Sequence, residues 1–516
     1  VKELIYPRLL LPCVDRHADR VGFVDGAYRG TFAQHLDRVA RMSAALRVLG
    51  VKGHGRYGVM ALNSHTFLEL YHAAYMGAGI INPLNLRLAA KELEYVLRES
   101  ATQVCFVDPT FAPIIAEVRA DAGIEHVVLI GDGDVPHDHK LEHLLEAVTP
   151  KLPDEPEEDD PVVLMYTGGT TGIPKGVLAD QRSELLNLYH MLMLVRIDES
   201  MVHLQQIPLF HAASMIAILG VSLGTTSVFM PTFDPASVAL LIERERVTNT
   251  GMVPTMIGMM LNHPTFDARR LSSLRTLHYG ASPMPEALLE RLMKALPDLE
   301  LYQGYGMTEV GSLLTVLQPV DHRAGGSLLQ SAGRAVPGAA VSIQDDKGNL
   351  LRPGNTGEVC ARCGNAMREY WQKPEATEEA FRGGWYHTGD AGYLDAQGYL
   401  FLVDRVKDMI VSGGENVYSV EVENAIASHP AIAQVAVIGI PDDTWGEAVH
   451  AIVVLHAGKT VTEDEVIAHA RRSIAGYKVP KSIAFRSESL PLSGAMKVLK
   501  RELRAPYWEG RSRRVN

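Results

Sequence analysis

The sequence has little cysteine, no excess of positive charge and no long unbroken apolar run, and each shortage removes a class of protein. Four cysteines in 516 residues do not make a disulfide framework, which points to a reducing compartment, the cytoplasm. Cys360 and Cys363 form a C-x-x-C, but 357–363 reads as a strand, on which positions three apart face opposite ways. With only Cys13 and Cys105 besides, a functional thiol pair is not expected. Lys plus Arg number 49 against 61 Asp plus Glu, and the net charge of −12 argues against a general nucleic-acid binder. The longest charge-free apolar stretch, 212–230, is interrupted by Ser214, Ser222, Thr225, Thr226 and Ser227. It reads as a buried helix followed by a strand, so no transmembrane segment is expected. Leu9, Leu10 and Leu11 before Pro12 are too few for a secretory signal.

A hydrophobic content of 47% over this length supplies more than one domain with a core. Between 33 and 130 helical and strand patterns alternate, which predicts an α/β layered domain. Phe67, Tyr71, Ala74 and Ala78 mark one helix face, and 104–107 and 127–130 are short β-type runs. The segment 151–161 holds six acids, one lysine and three prolines, the composition of a solvated connector. Helical patterns follow at 183–194 and 463–474, with apolar runs at 435–440 and 451–455. Ser419 is placed to cap a helix that turns Val422, Ala425 and Ile426 inward. The last hundred or so residues read as a separate small α/β unit.

The chain is organised around Tyr166-Thr-Gly-Gly-Thr-Thr-Gly-Ile-Pro-Lys-Gly176, which follows the apolar run Val162 to Met165. Gly168, Gly169 and Gly172 let the backbone approach an anion, Thr167, Thr170 and Thr171 add donors, and Lys175 adds a cation. A Walker-type loop would join its glycine directly to Lys-Ser or Lys-Thr, whereas here Ile173 and Pro174 intervene before Lys175 and Gly176 follows. Downstream, Tyr302-Gln-Gly-Tyr-Gly-Met-Thr-Glu309 offers a flat ring for a purine, an alcohol for a phosphate and a carboxylate for a metal.

These strings resemble those of the adenylate-forming superfamily, which includes acyl-CoA synthetases, luciferase and peptide-synthetase adenylation domains. Five motifs lie in the family's order between about 160 and 500. The resemblance implies an α/β protein with a large multi-subdomain N-terminal domain of layered helices and sheets (1–404), which would hold ATP and the acyl substrate. A small mobile α+β C-terminal domain (405–516) would carry the hinge, the CoA-side face and a lysine. By the same resemblance Gly280, Ala281 and Ser282 form the adenine-side turn, in a segment with Pro283. Gln303, Gly304, Tyr305, Gly306, Met307 and Thr308 complete the nucleotide site, with Tyr305 on adenine and Thr308 at the α-phosphate. Glu309 and Thr167 would hold Mg2+, Asp390 and Arg405 the ribose. Lys407 would be the pivot, and Gly413 and Gly414 would face the CoA tunnel.

Pro208-Leu-Phe-His211 resembles a segment whose ring gates the acyl pocket; His211 joins Lys497, Thr167 and Glu309 as the implied catalytic set. A lone histidine is equally at home in a structural role. Ser214, Met215 and Tyr279 are further pocket candidates, while Met256, Met259 and Met260 share a helical face that fits a core at least as well as an acyl tunnel. Before Lys497 the family usually has serine or threonine and glycine; this chain has Ala495 and Met496. The basic residues from Lys500 to Arg514 read as helix face and solvated tail. The implied activity is an acyl- or aryl-CoA ligase using ATP, Mg2+ and coenzyme A on a fatty or aromatic acid, with room for a homodimer. Luciferase-like or carrier-protein ligases, and a non-catalytic acyl or nucleotide sensor, are the alternatives.

Overall fold

The structure, a computed structural model, describes residues 3–167, 174–405, 409–412, 415–442, 444–494 and 496–509. Their strands form four sheets. A nine-stranded sheet has six parallel inner strands, from Glu300–Tyr305 through Thr276–Gly280, Asn249–Met252, Val202–Gln205 and Thr226–Phe229 to Val21–Asp25. An eight-stranded sheet runs parallel from Pro161–Thr167 through Ile80–Pro83, Arg56–Met60, Val104–Val107 and His126–Leu129 to His139–Lys140. On the other side Lys175–Asp180 pairs antiparallel with Pro161–Thr167, and Glu369–Tyr370 closes the edge antiparallel to Lys175–Asp180. The expected α/β layering is therefore present.

Helices Phe32–Val48, His65–Tyr75, Gln181–Leu192 and Met215–Leu219 contribute to one core cluster together with Phe23 and Phe229 of the first sheet and Tyr57, Ile81 and Phe106 of the second. Layering of this kind buries a central helix on every side, and in His65–Tyr75 every residue from Thr66 to Tyr75 is buried. The helix face marked by Phe67, Tyr71 and Ala74 is thus only part of what is covered. Glu69, fully buried there, is held by the Arg38 guanidinium at 2.8 Å. The 212–230 stretch folds as short helical turns through Leu223 and then the strand Thr226–Phe229. No described helix is long and apolar enough to cross a membrane.

A four-stranded antiparallel sheet, Ala339–Gln344, Gly357–Cys363, Tyr386–Leu394 and Leu400–Arg405, completes the large domain. The small C-terminal domain is built on the long antiparallel pair Ile432–Asp442 and Gly446–Leu455, with Ser482–Arg486 parallel at its side. The apolar runs at 435–440 and 451–455 are the centres of these longer strands. Helix Ser419–Ala427 turns Val422, Ala425 and Ile426 onto them. Ser419 is its first residue rather than its cap, because its hydroxyl accepts from Lys500 Nζ at 2.6 Å. Lys500 also pairs with Glu423 at 2.7 Å, so this lysine anchors helix Lys500–Trp508 instead of being solvated. The helix expected over 463–474 stops at Ala470, with Thr462 and Glu465 forming its capping box.

Candidate functional site

Parallel strands deliver their C-terminal ends to one edge, where ligands of open α/β sheets collect. In the nine-stranded sheet Gly280 is in register with Gly304, and the two backbones touch: a Cβ on Gly280 would lie 2.1 Å from the Gly304 carbonyl oxygen. Ala281 then takes a left-handed φ of 66°, which makes the turn into Ser282. Gly306 is equally constrained, since a Cβ there would lie 2.4 Å from the Ser312 carbonyl oxygen. From the other sheet, strand Pro161–Thr167 ends on the same cleft. Gly280, Ala281, Ser282, Gln303, Gly304, Tyr305, Gly306, Met307 and Thr308 all line it, as do Thr167, Lys175, Glu309, Asp390 and Lys497.

Within the cleft, Thr167 Oγ1 donates to Glu309 Oε1 at 3.5 Å, and the Tyr370 phenol donates to the same oxygen at 3.0 Å. Glu309 stands on the turn Thr308–Val310, pinned by Met367 N–H on its carbonyl at 2.8 Å. Lys175 Nζ lies 4.6 Å from the centroid of the Tyr370 ring. Burial, and after it the Glu309 charge, pushes the phenols of Tyr370 and Tyr386 up, so both stay protonated. Tyr305 OH donates to Asp390 Oδ2 at 2.8 Å, and Asp390 faces Arg405 across the antiparallel register. Hydroxyl and carboxylate oxygens at Thr167 and Glu309 are a hard-cation donor set that suits Mg2+.

The C-terminal domain reaches the same cleft through a closed turn. Ser493 N–H donates to Lys497 O at 2.7 Å, and Lys497 N–H returns to Ser493 Oγ at 3.1 Å. Gly494 sits so near the large domain that a Cβ would lie 2.4 Å from Asn85 Oδ1 and 2.9 Å from Phe210 Cζ. Arg87 donates to the Leu492 carbonyl oxygen beside it. Met496 adopts a left-handed φ of 61°, the conformation for which glycine is suited, and packs against the buried cluster containing Met252, Val253 and Tyr279. Its departure from the family pattern therefore trades backbone strain for a contact across the domains.

His211 lies past the strand Val202–Gln205, at the end of a turn through Leu209 and Phe210 that its N–H closes on Pro208 O at 2.9 Å. Its Nδ1 accepts from Ala213 N–H at 3.1 Å, which leaves Nε2 as the protonated nitrogen of the neutral ring. Burial, reinforced by the Lys497 charge, takes its pKa down to about 3. Met215, Tyr279 and Met259 line the cleft, while Met256 and Met260 belong to the core. Ser214 is not a lining residue: it is buried, donating to Pro208 O and accepting from Gln205. Gly168, Gly169, Thr170, Thr171, Gly172, Lys407, Gly413 and Gly414 lie outside the described residues, as does the side chain of Arg405. The thiols of Cys360 and Cys363 are both free and pushed up by burial, to about 12 and about 11. Spacing gave no signal for Asn85, Tyr370 or His278, whose neighbours come from distant segments.

Two sheets that bring Thr167, Glu309 and Asp390 to one cleft, with Lys497 of the C-terminal domain on its wall, form a site of the kind found in nucleotide-dependent ligases. Family models bear this out: that of the AMP-binding enzyme matches residues 12–371, and that of the AMP-binding enzyme C-terminal domain matches 421–497. The chain belongs to the AMP-binding, adenylate-forming enzyme family and is an acid–thiol ligase. It is 37% identical over 481 residues to a fatty acid–[acyl-carrier-protein] ligase of Streptomyces coeruleorubidus, covering 92% of this chain and 91% of that one. It is 37% identical over 480 residues to a feruloyl-CoA synthase of Amycolatopsis, covering 92% and 94%. Among solved structures, an anthranilate CoA ligase in complex with anthranoyl-AMP superposes with a TM-score of 0.90 at 26% identity, covering 98% of each chain.

Proposed function

We propose that this protein couples a fatty or aromatic carboxylic acid to ATP, giving an acyl-adenylate and pyrophosphate, and then passes the acyl group to coenzyme A with release of AMP. The observation that carries this reading is the 3.5 Å approach of Thr167 to Glu309, which joins the end of the threonine loop to the Tyr305–Glu309 segment over a single cleft. A carboxylate attacking the α-phosphorus brings two anions together. At about 4 Å and an effective dielectric near 20 they repel by about 4 kcal/mol, close to three powers of ten in rate. Neutralising that repulsion is the task of the site.

Lys497 bridges the acid carboxylate and the α-phosphate, and Lys175 takes the outer phosphates together with Gly168, Gly169, Thr170, Thr171 and Gly172. Glu309 and Thr167 would hold magnesium, which would supply further positive charge near the phosphates. Tyr305 stacks on adenine while its hydroxyl holds Asp390, and Asp390 accepts from the ribose hydroxyls while Arg405 donates to them. His211, neutral, walls the entrance to the acyl pocket. The large domain ends at 404, and residues 405–516 turn about Lys407 after adenylation, bringing Gly413 and Gly414 to the thiol. Four free cysteines suit the reducing cytoplasm.

A carrier-protein thiol is a second acceptor worth testing, because the relative from Streptomyces coeruleorubidus is a fatty acid–[acyl-carrier-protein] ligase. A panel of acids with ATP and magnesium, scored for pyrophosphate and AMP and offered either CoA or a pantetheinylated carrier protein, tests the reading. Pyrophosphate release that depends on the acid, followed by thioester, supports it; ATP binding without acid-dependent turnover would favour a sensor and overturn it.

A further inference from the structure

The inner wall of the acyl cleft is polar where a hydrocarbon tail would need it apolar. Side chains that alternate along parallel strands set one face of the nine-stranded sheet: His203 and Gln205, Asn249 and Gly251, His278 and Gly280, Tyr302 and Gly304. His278 is in register with Gly251 and stacks on Tyr302 with centroids 5.1 Å apart and planes at 17°. His278, His203, Gln205 and Tyr302 all line the cleft, as do Met215 and Ile216. From Gly280 at the nucleotide end, His278 is two residues down the strand, about 7 Å deeper.

The polar groups there are not equally satisfied. His203 is held at both nitrogens, by Asn249 Oδ1 at 2.6 Å and Gln205 Oε1 at 3.2 Å. Gln205 is itself fixed by Ser214 Oγ at 2.9 Å. The His278 ring has no hydrogen-bond partner among the described residues: its Nε2 is shut away from solvent, and Nδ1 is the nitrogen left for the cleft that the ring lines. A ring with no partner in the protein is left to take its hydrogen bond from whatever fills the cleft beside it. Burial, and after it the adjacent His203, takes its pKa down to about 3, so the ring is neutral at physiological pH and offers one N–H and one lone pair. A charged far end, such as a second carboxylate, would meet that neutral wall without a counter-charge.

Building on the ligase reading above, we propose that His278 is the specificity-determining group of a hydrogen-bonding subsite in the acyl pocket, and that the acid carries a neutral oxygen function, a hydroxyl, phenol or carbonyl, at its far end. A site built to bond such a group discriminates against the analogue lacking it far more strongly than an apolar pocket discriminates against an added methylene.

The test measures kcat/KM for pyrophosphate release on matched acids: benzoate against 4-hydroxybenzoate, cinnamate against 4-hydroxycinnamate, and dodecanoate against 12-hydroxydodecanoate. The oxygenated member of at least one pair is expected to lead by about tenfold or more. In His278→Phe, which keeps the flat ring and removes both nitrogens, the lead collapses through the oxygenated acid alone, and His278→Gln recovers part of it. Equal efficiency within every pair, or a preference for the unsubstituted acids, overturns the subsite and leaves the ligase reading intact. So does an equal loss on both members in His278→Phe, which would mark a structural role. Failure of every acid to release pyrophosphate overturns the ligase reading and the subsite with it.

Discussion

The phenol of Tyr370 donates a 3.0 Å hydrogen bond to Oε1 of Glu309, the oxygen that Thr167 also reaches at 3.5 Å. Because burial keeps that phenol protonated, it can only support the carboxylate and never competes with it for charge. Glu309→Gln preserves the shape and both hydrogen bonds but removes the charge a cation needs. Acid-dependent ATP–pyrophosphate exchange is expected to fall about a hundredfold or more and to lose its saturation by magnesium. Tyr370→Phe, which removes one neutral hydrogen bond, should cost about fivefold in the magnesium half-saturation. Titrating exchange against magnesium in both variants checks this, and an unaltered magnesium curve in Glu309→Gln would remove the residue from the metal site.

Lys497 lines the cleft at the end of a turn whose Gly494 fits against Asn85 and Phe210. Lys497→Ala should therefore cripple adenylate formation and spare thioester formation from presupplied acyl-adenylate, since the second step needs no cation between carboxylate and phosphate. Separate assays of the two half-reactions decide it, and equal loss of both contradicts the assigned role.

Met496 holds that lysine loop down at the expense of a left-handed backbone. Met496→Gly relieves about 1 kcal/mol of strain and gives up a partly buried side chain worth a similar amount, so thermal stability is expected to change little. The docked arrangement alone loses its contact, and adenylation should slow by about two- to fivefold while the thioester step is unchanged.

How far the sequence reaches is plain from these residues. Local signals gave the α/β layering, the strand 357–363 and the helix and strand in 212–230, while the segments that line the cleft came from the family resemblance of their motifs. Periodicity marks one face of a helix, so it missed that the whole of His65–Tyr75 is enclosed between two sheets. Ser419 matched a capping pattern but is engaged by Lys500, 81 residues away, and no local pattern encodes such a partner. Ser214 lay among pocket candidates by position, yet its hydroxyl turns to Pro208 and Gln205. Asn85 has no motif at all; only the closeness of Gly494 reveals it.

Gly280 and Gly304 face each other in register but differ in what a methyl group would meet. Alanine at 280 would strike the Gly304 carbonyl, a backbone atom that cannot move without breaking the strand pair, whereas alanine at 304 meets the end of the Leu313 side chain at 3.1 Å. Gly280→Ala is expected to cost about 3 kcal/mol or more, visible as a lower denaturation midpoint. Gly304→Ala should cost less than about 1 kcal/mol, and its effect should instead be a raised KM for bulky acids. Similar stability losses in the two variants would mean that the backbone contact is relieved by strand movement.

Glu184 supplies a pH dependence that belongs to the fold rather than the chemistry. It sits on helix Gln181–Leu192 with Tyr75 OH donating to its Oε2 at 2.7 Å, and burial, with a smaller push from Asp180, raises its pKa from 4.5 to about 7 despite that bond. Below pH 4.5 the carboxyl is protonated in folded and unfolded chains alike and contributes no difference. Between 4.5 and about 7 the unfolded chain gives up the proton while the folded one keeps it, so stability falls as pH rises. Above about 7 the penalty is constant and at most about 3 kcal/mol. Glu184→Gln, still able to accept from Tyr75, removes this penalty. The variant should match the wild type near pH 4.5 and exceed it increasingly up to pH 8, as read from denaturation midpoints across the range. A gap that does not change with pH would mean that Glu184 is ionised in the folded protein.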